Sequence, residues 1–176
     1  MIRIVVALLA AAVLVAPLRA QPQVADEYRV KAAFLYNFFK YVEWPPSAPQ
    51  DGPLWICVAG RNPFGSVLEE TIAGETLNGR PLATRVILEP EPGCHIVFVP
   101  DGAATSAYLR AAEGTPTLTV GERPDFINSG GTIRFYIADG NIRFAVNPAA
   151  AERAGLRISS RLLQLADIAD DPGKAP

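Results

Sequence analysis

The sequence predicts an α/β domain built on a mostly parallel sheet flanked by helices, with an antiparallel C-terminal hairpin. Three observations predict it. Leu54 to Ala59 and Cys94 to Val99 are short continuous apolar runs, as in strands covered on both faces. Strand-like runs alternate with helical stretches, which argues for crossover connections and parallel pairing. Thr132 to Ile137 and Asn141 to Val146 instead alternate strictly about Asp139-Gly140, the pattern of a hairpin with a tight turn.

The elements follow in chain order. Asp26 is the expected cap of a first helix that carries Glu27 in its first turn and runs to about Val42, stopping before Trp44-Pro45-Pro46. Leu54 to Ala59 is the first apolar strand. Gly60-Arg61-Asn62-Pro63-Phe64-Gly65 is a strand-to-helix turn, and Val67, Leu68 and Ile72 mark the helix after it. Pro81 to Leu88 and Cys94 to Val99 are the next strands. A helix is expected from about Ala103 to Ala112, and Pro116 to Val120 is a fourth strand. In the hairpin, Ile133, Phe135 and Ile137 should share an apolar face with Ile142, Phe144 and Val146. Asn147-Pro148 supplies an N-cap and a proline at the first helical position, with Gly155 as the stop. Ser159 or Ser160 caps a last helix with Leu162, Leu163, Leu165, Ala166 and Ile168 as its apolar residues.

Ahead of all this, Arg3 precedes an unbroken apolar run from Ile4 to Ala16, and Pro17-Leu18-Arg19-Ala20 follows. That is the layout of a secretory signal, with cleavage expected after Ala20 although Leu18 departs from the ideal A-x-A pattern. The run is too short to span a bilayer as a helix, and the alternative is an uncleaved anchor. The expected organisation is a signal peptide over residues 1–20 and one domain over 21–176, working outside the cytoplasm. Loss of Arg3 and Arg19 leaves 14 basic against 18 acidic residues, a net charge of −4. Nucleic-acid binding needs clustered Lys and Arg, so it is not expected.

The residues offer little to a catalyst. His95 is the only histidine and stands at the start of an apolar strand, so a structural role is expected. One His and two Cys do not make a conventional zinc site, and no G-x-S-x-G elbow is present. No cofactor or metal and no enzymatic activity are expected. Cys57 and Cys94 are an even pair in an oxidising compartment, 37 positions apart. A disulfide is the first hypothesis and two buried thiols the second. A C-x-x-C redox motif is absent.

Two stretches are candidate sites. Tyr28, Phe34, Tyr36, Phe38, Phe39, Tyr41 and Trp44 put seven of the fifteen aromatic residues into seventeen positions. At about 100° per residue they point almost all round the helix, more than one sheet face can cover. Such a helix is either buried all round, or has a second face for a dimer, a partner or a ligand. Tyr28, Lys31, Phe34, Tyr36, Phe38, Tyr41 and Trp44 are the candidates for that surface, with Lys31 and Lys40 expected to be exposed. Gly60, Arg61, Pro63, Phe64 and Gly65 lie where a parallel strand hands over to a helix, the edge at which ligands usually bind. A plain structural turn is the alternative.

Val30-Lys31-Ala32-Ala33-Phe34-Leu35-Tyr36-Asn37-Phe38-Phe39-Lys40-Tyr41-Val42-Glu43-Trp44-Pro45 resembles the opening signature of the YfiR-like periplasmic proteins. Further similar segments are Ile56-Cys57-Val58, Pro63-Phe64-Gly65, Asn78-Gly79-Arg80-Pro81, Cys94-His95-Ile96-Val97-Phe98 and Leu118-Thr119-Val120. The last block runs from Gly130-Gly131 through Ile142-Arg143-Phe144 and Asn147 to Ser159-Ser160 and Leu162-Leu163. The resemblance implies a small periplasmic α/β protein, often a homodimer. It implies a negative regulator that engages the periplasmic domain of an inner-membrane diguanylate cyclase, in cyclic-di-GMP signalling. It also implies a disulfide at Cys57 and Cys94, while a second pair found in some members is missing here. The alternatives are a periplasmic small-molecule sensor or carrier, or the partner of a membrane sensor kinase.

Overall fold

The computed structural model describes residues 22–170. The expected signal peptide lies outside the described residues. Helix α1 spans Pro22–Tyr41, and a short strand β1 (Val42–Glu43) follows it directly. The central strands and helices are β2 (Leu54–Ala59), α2 (Val67–Ile72), β3 (Thr76–Leu77), β4 (Arg80–Ile87), β5 (Ile96–Val99), α3 (Thr105–Ala112) and β6 (Leu118–Gly121). The C-terminal part contains β7 (Ile133–Ala138), β8 (Asn141–Val146), α4 (Pro148–Arg153), β9 (Arg157–Ile158), α5 (Ser160–Leu163) and β10 (Asp167–Ile168).

Eight strands form one mixed sheet in the order β10-β8-β7-β6-β5-β2-β4-β3. The inner run β4-β2-β5-β6-β7 is parallel throughout, and β7–β8 is the antiparallel hairpin. In chain order the five parallel strands stand 2-1-3-4-5. That is a doubly wound arrangement whose succession reverses between β2 and β5.

Strand alternation divides the core. Ile56, Val58, Ile96, Phe98, Leu118 and Val120 face one layer with α1 and α2, while Cys57, Ala59, Val97 and Val99 face Tyr108 and Leu109 of α3. Helix α1 begins earlier than the Asp26 cap implied, with Pro22 at its start, where a missing N–H costs nothing. Glu27 therefore sits beyond the first turn. In the hairpin, Asp139 and Gly140 both take positive φ (51° and 73°), as a two-residue turn of this hand requires. Phe135 faces Phe144 across the strands under Phe34 and Phe38, but Ile137, in the pair nearer the turn, is 60 % exposed. The apolar face predicted for the hairpin thus loses Ile137, while its partner Ile142 still packs against the core.

Asn147 caps α4 by accepting the Ala150 N–H at 3.0 Å, and Ser159, rather than Ser160, caps α5 through the Leu162 N–H. The last helix is only four residues long. Ile168, expected on it, instead lies in the edge strand β10 beside β8. Two further pairings had no counterpart in the sequence reading. The β3–β4 hairpin turns at Asn78-Gly79, and β1 pairs with β9.

Candidate functional site

The loops after β2 and β5 leave the sheet at the point where strand succession reverses. Between them is a cavity of about 470 Å³ lined by Tyr28, Gly60, Arg61, Pro63, Pro100, Asp101, Gly102 and Ala103. The six-residue turn after β2 has a clear division of labour. Asn62 Oδ1 accepts the Phe64 N–H at 2.9 Å and its Nδ2 donates to the Gly65 carbonyl, which folds the turn on itself. Phe64 is driven into the core edge-on to Phe98 and Tyr28, with ring centroids 4.9 and 5.2 Å away. Arg61 is left exposed, without a hydrogen bond or ion pair among the described residues. Of the five candidate turn residues, Gly60, Arg61 and Pro63 line the cavity, while Phe64 is a core plug and Gly65 is a turn residue with φ of +58°.

The crevice rests on a buried charged cluster. Lys31, expected to be exposed, is 4 % exposed, because α1 lies with this side against the end of β6. Its ammonium pairs with Glu27 one turn back on α1 and with Glu122 just after β6. Glu122 Oε2 also accepts the Asp101 backbone N–H at 3.1 Å and the Tyr28 hydroxyl at 3.4 Å. Burial first, and the Glu122 carboxylate next, push the Tyr28 hydroxyl far above its usual range, so it stays protonated. Glu27 was read from the sequence only as a helix-terminal acid, and Asp101 and Glu122 were not singled out. The last two follow apolar strands directly, at their carboxyl ends, which is the signal that could have found them.

The rest of the aromatic helix is mostly core. Leu35 and Phe38 are fully buried and Phe39 nearly so, whereas Tyr28, Phe34, Tyr36, Tyr41 and Trp44 are half-buried against the same cluster. The sheet covers one side, and α2 and α5 flank the helix. Tyr36 donates to Glu75, and Lys40, which is exposed, lies 3.9 Å over the Tyr36 ring. Trp44 stacks on Phe39, and its Nε1 is buried with no hydrogen-bond partner among the described residues. The candidate residues therefore divide: Tyr28 lines the crevice with Gly60, Arg61 and Pro63, Lys31 supports it through Glu122, and the others do neither.

At the opposite end of β2 and β5 the charges are committed. His95 Nδ1 accepts the Trp55 N–H and Nε2 lies 3.1 Å from the Pro49 carbonyl, so the ring is a neutral tie between segments. Burial, chiefly, lowers its pKa below the usual value. Arg80 donates to the carbonyls of Pro49, Asp51, Gly52 and Pro53. Cys57 and Cys94 form a disulfide with their Cα atoms 5.9 Å apart, since Cys94 lies just ahead of β5 and β5 runs beside β2. Arg85, opposite Cys57 on β4, places its guanidinium 3.5 Å from Cys57 Sγ and 3.7 Å from Cys94 Sγ and stacks on Trp55.

Among the described residues, no group of three or more His, Cys, Asp and Glu could hold a metal ion, and no helix is long and apolar enough to cross a membrane. The class so defined is a doubly wound α/β domain, tied by one disulfide, with a charged crevice at its switch point. The model of the YfiR/HmsC-like family matches residues 28–167, from Tyr28 at the crevice to the start of β10. The chain belongs to the YfiR/HmsC-like family.

Proposed function

We propose that this protein is a periplasmic regulator that holds an inner-membrane signalling enzyme inactive by contact with its periplasmic domain, the enzyme being a diguanylate cyclase. The observation that carries the reading is the extent of the family match, which takes in nearly all of the described fold, including α1, the sheet and the C-terminal elements. The signal-like N-terminus supports it, because it directs the chain to the side of the membrane where a sensor's input domain is exposed. Action is by binding rather than by catalysis.

Contact with the partner, and self-association into a homodimer, use the outward side of α1. Val30 is 43 % exposed there, and Arg29, Ala33 and Lys40 are also exposed. Lys40 is the residue to change, because reversing its charge alters the surface and leaves the buried aromatic rings in place. The test is a gene deletion followed by measurement of cyclic-di-GMP. The nucleotide should rise and return to its former level on complementation, with Lys40→Glu complementing poorly. Unchanged nucleotide together with no membrane protein captured by periplasmic crosslinking overturns the reading.

A further inference from the structure

Two features of the switch-point crevice remain unused by a repressor that acts only by surface contact. The first is a pair of opposite charges on facing walls, neither of them in an ion pair among the described residues. Arg61 stands on the β2 side with no hydrogen bond or ion pair among the described residues. Asp101 stands on the β5 side, where among the described residues its carboxylate accepts the N–H of the neighbouring Gly102 and lies in the field of Arg123 without pairing with it. The second is the buried Lys31 ion-pair cluster below them. Taking such charges out of water costs several kcal/mol per ion, and apolar packing of similar volume is often as stable. Here the cluster fixes the Asp101 wall, because Glu122 Oε2 holds the Asp101 backbone N–H and is itself held by Lys31.

The space between the walls suits a small molecule. Its volume of about 470 Å³ falls in the range of small-ligand sites. Tyr28, Pro63, Pro100 and Ala103 give it apolar lining between the two charges. Gly60 takes φ of +68°, and a Cβ built on it would lie 3.8 Å from the Ala103 Cβ, so the walls approach closely at its base. Glu27 and Glu122 are both engaged by the Lys31 ammonium, which leaves Arg61 and Asp101 to meet a ligand.

We propose that the crevice between the β2 and β5 loops binds a small zwitterion of the amino-acid class, its carboxylate on Arg61 and its ammonium on Asp101. The guanidinium fork suits a carboxylate, and the Asp101 carboxylate suits an ammonium, as charge-assisted hydrogen bonds. A simple anion would meet Asp101, and a simple cation would meet Arg61, so each single-charge ligand is disfavoured by one wall. The inference does not depend on the repressor reading.

Calorimetric titration of the purified protein with each of the twenty free amino acids tests it, with acetate and methylammonium as single-charge controls. At least one amino acid should bind saturably and neither control should. Its affinity should fall at least tenfold in Arg61→Ala and also in Asp101→Asn, two exposed positions whose variants keep the wild-type circular dichroism spectrum. Absence of binding by every amino acid overturns the proposal. So does binding of a control as tightly as the amino acid, or retention of affinity in either variant.

Discussion

Lys31 and Glu122 stand 91 residues apart in the chain and meet as an ion pair whose side chains are only 5 % and 11 % exposed. The pair ties α1 to the carboxyl end of β6, and Glu27 shares the ammonium. Removal of the cation leaves two carboxylates facing each other in a poorly solvated place. Lys31→Ala should therefore destabilise the fold by about 3–5 kcal/mol, the usual cost of breaking a buried pair. Lys40→Ala, at an exposed position on the same helix, should change stability by no more than about 0.5 kcal/mol. Urea unfolding of the two variants checks the contrast, and equal midpoints would refute the buried pairing.

The turn after β2 makes a similar contrast three positions apart. Phe64 is 3 % exposed and packed on two rings, so Phe64→Leu should cost about 1–3 kcal/mol and Phe64→Ala about 3–5 kcal/mol. Arg61→Ala should leave stability within about 0.5 kcal/mol of wild type. Thermal unfolding followed by near-ultraviolet circular dichroism reads both.

Much of this fold is legible because its signals are local. Asp139-Gly140, Asn147-Pro148, Gly155 and Ser159 act on backbone within a turn of themselves, and each does what its residue type implies. Lys31 shows the limit: helix periodicity places it on a face, but its burial depends on Glu122, which reaches it only through the closed sheet. The β1–β9 pair is invisible for the same reason, since two residues carry no alternation and their partners lie over a hundred positions away. Asn78-Gly79 is a strong hairpin dipeptide, yet the strand before it is too short to show a period. At the crevice, Gly60, Arg61 and Pro63 were readable from a strand-to-helix handover. Asp101 entered only when the strand order set the β5 loop opposite them.

Phe126 is held between two glycines. A Cβ built on Gly121 would come within 2.3 Å of its ring, and one on Gly131 within 2.2 Å, from opposite edges. The ring is fully buried against α3, so it has no open side to move into. Gly121→Ala and Gly131→Ala should each cost about 1–3 kcal/mol or more by overpacking. Phe126→Leu combined with Gly121→Ala should recover part of the loss, since every close contact of a Cβ at Gly121 is with the ring. Urea midpoints of the single and double variants test the coupling, and simple additivity would exclude the clamp.

The disulfide closes a loop of 37 residues that contains the β2 loop, α2, β3 and β4. In the chain-entropy account a loop of that length stabilises the fold by about 4 kcal/mol. The Cys57→Ala/Cys94→Ala variant should lose a comparable amount, with unfolding of the wild type in reductant moving to the same midpoint. Removal of Arg85 should have a smaller effect, because the guanidinium is partly exposed and contacts the sulfurs rather than holding the strands together. Denaturant curves with and without dithiothreitol distinguish the two contributions.

His95 sets an acid limit on stability. Its ring is 1 % exposed and its Nδ1 is an acceptor for the Trp55 N–H, so the folded state holds the neutral form and its pKa lies below the ordinary value near 6.5. The unfolded chain binds a proton at His95 before the folded one does. Stability from this residue is therefore complete above about pH 6.5 and declines as pH falls from there toward the lower folded value. The urea midpoint of the wild type should drop between pH 7.5 and pH 5.5. His95→Leu, less stable at pH 7.5 through loss of its two hydrogen bonds, should show a smaller drop over the same interval. An equal drop in the two proteins would assign the acid sensitivity to other groups, and the ring would then not be the proton-sensitive tie between β2 and the Pro49 segment.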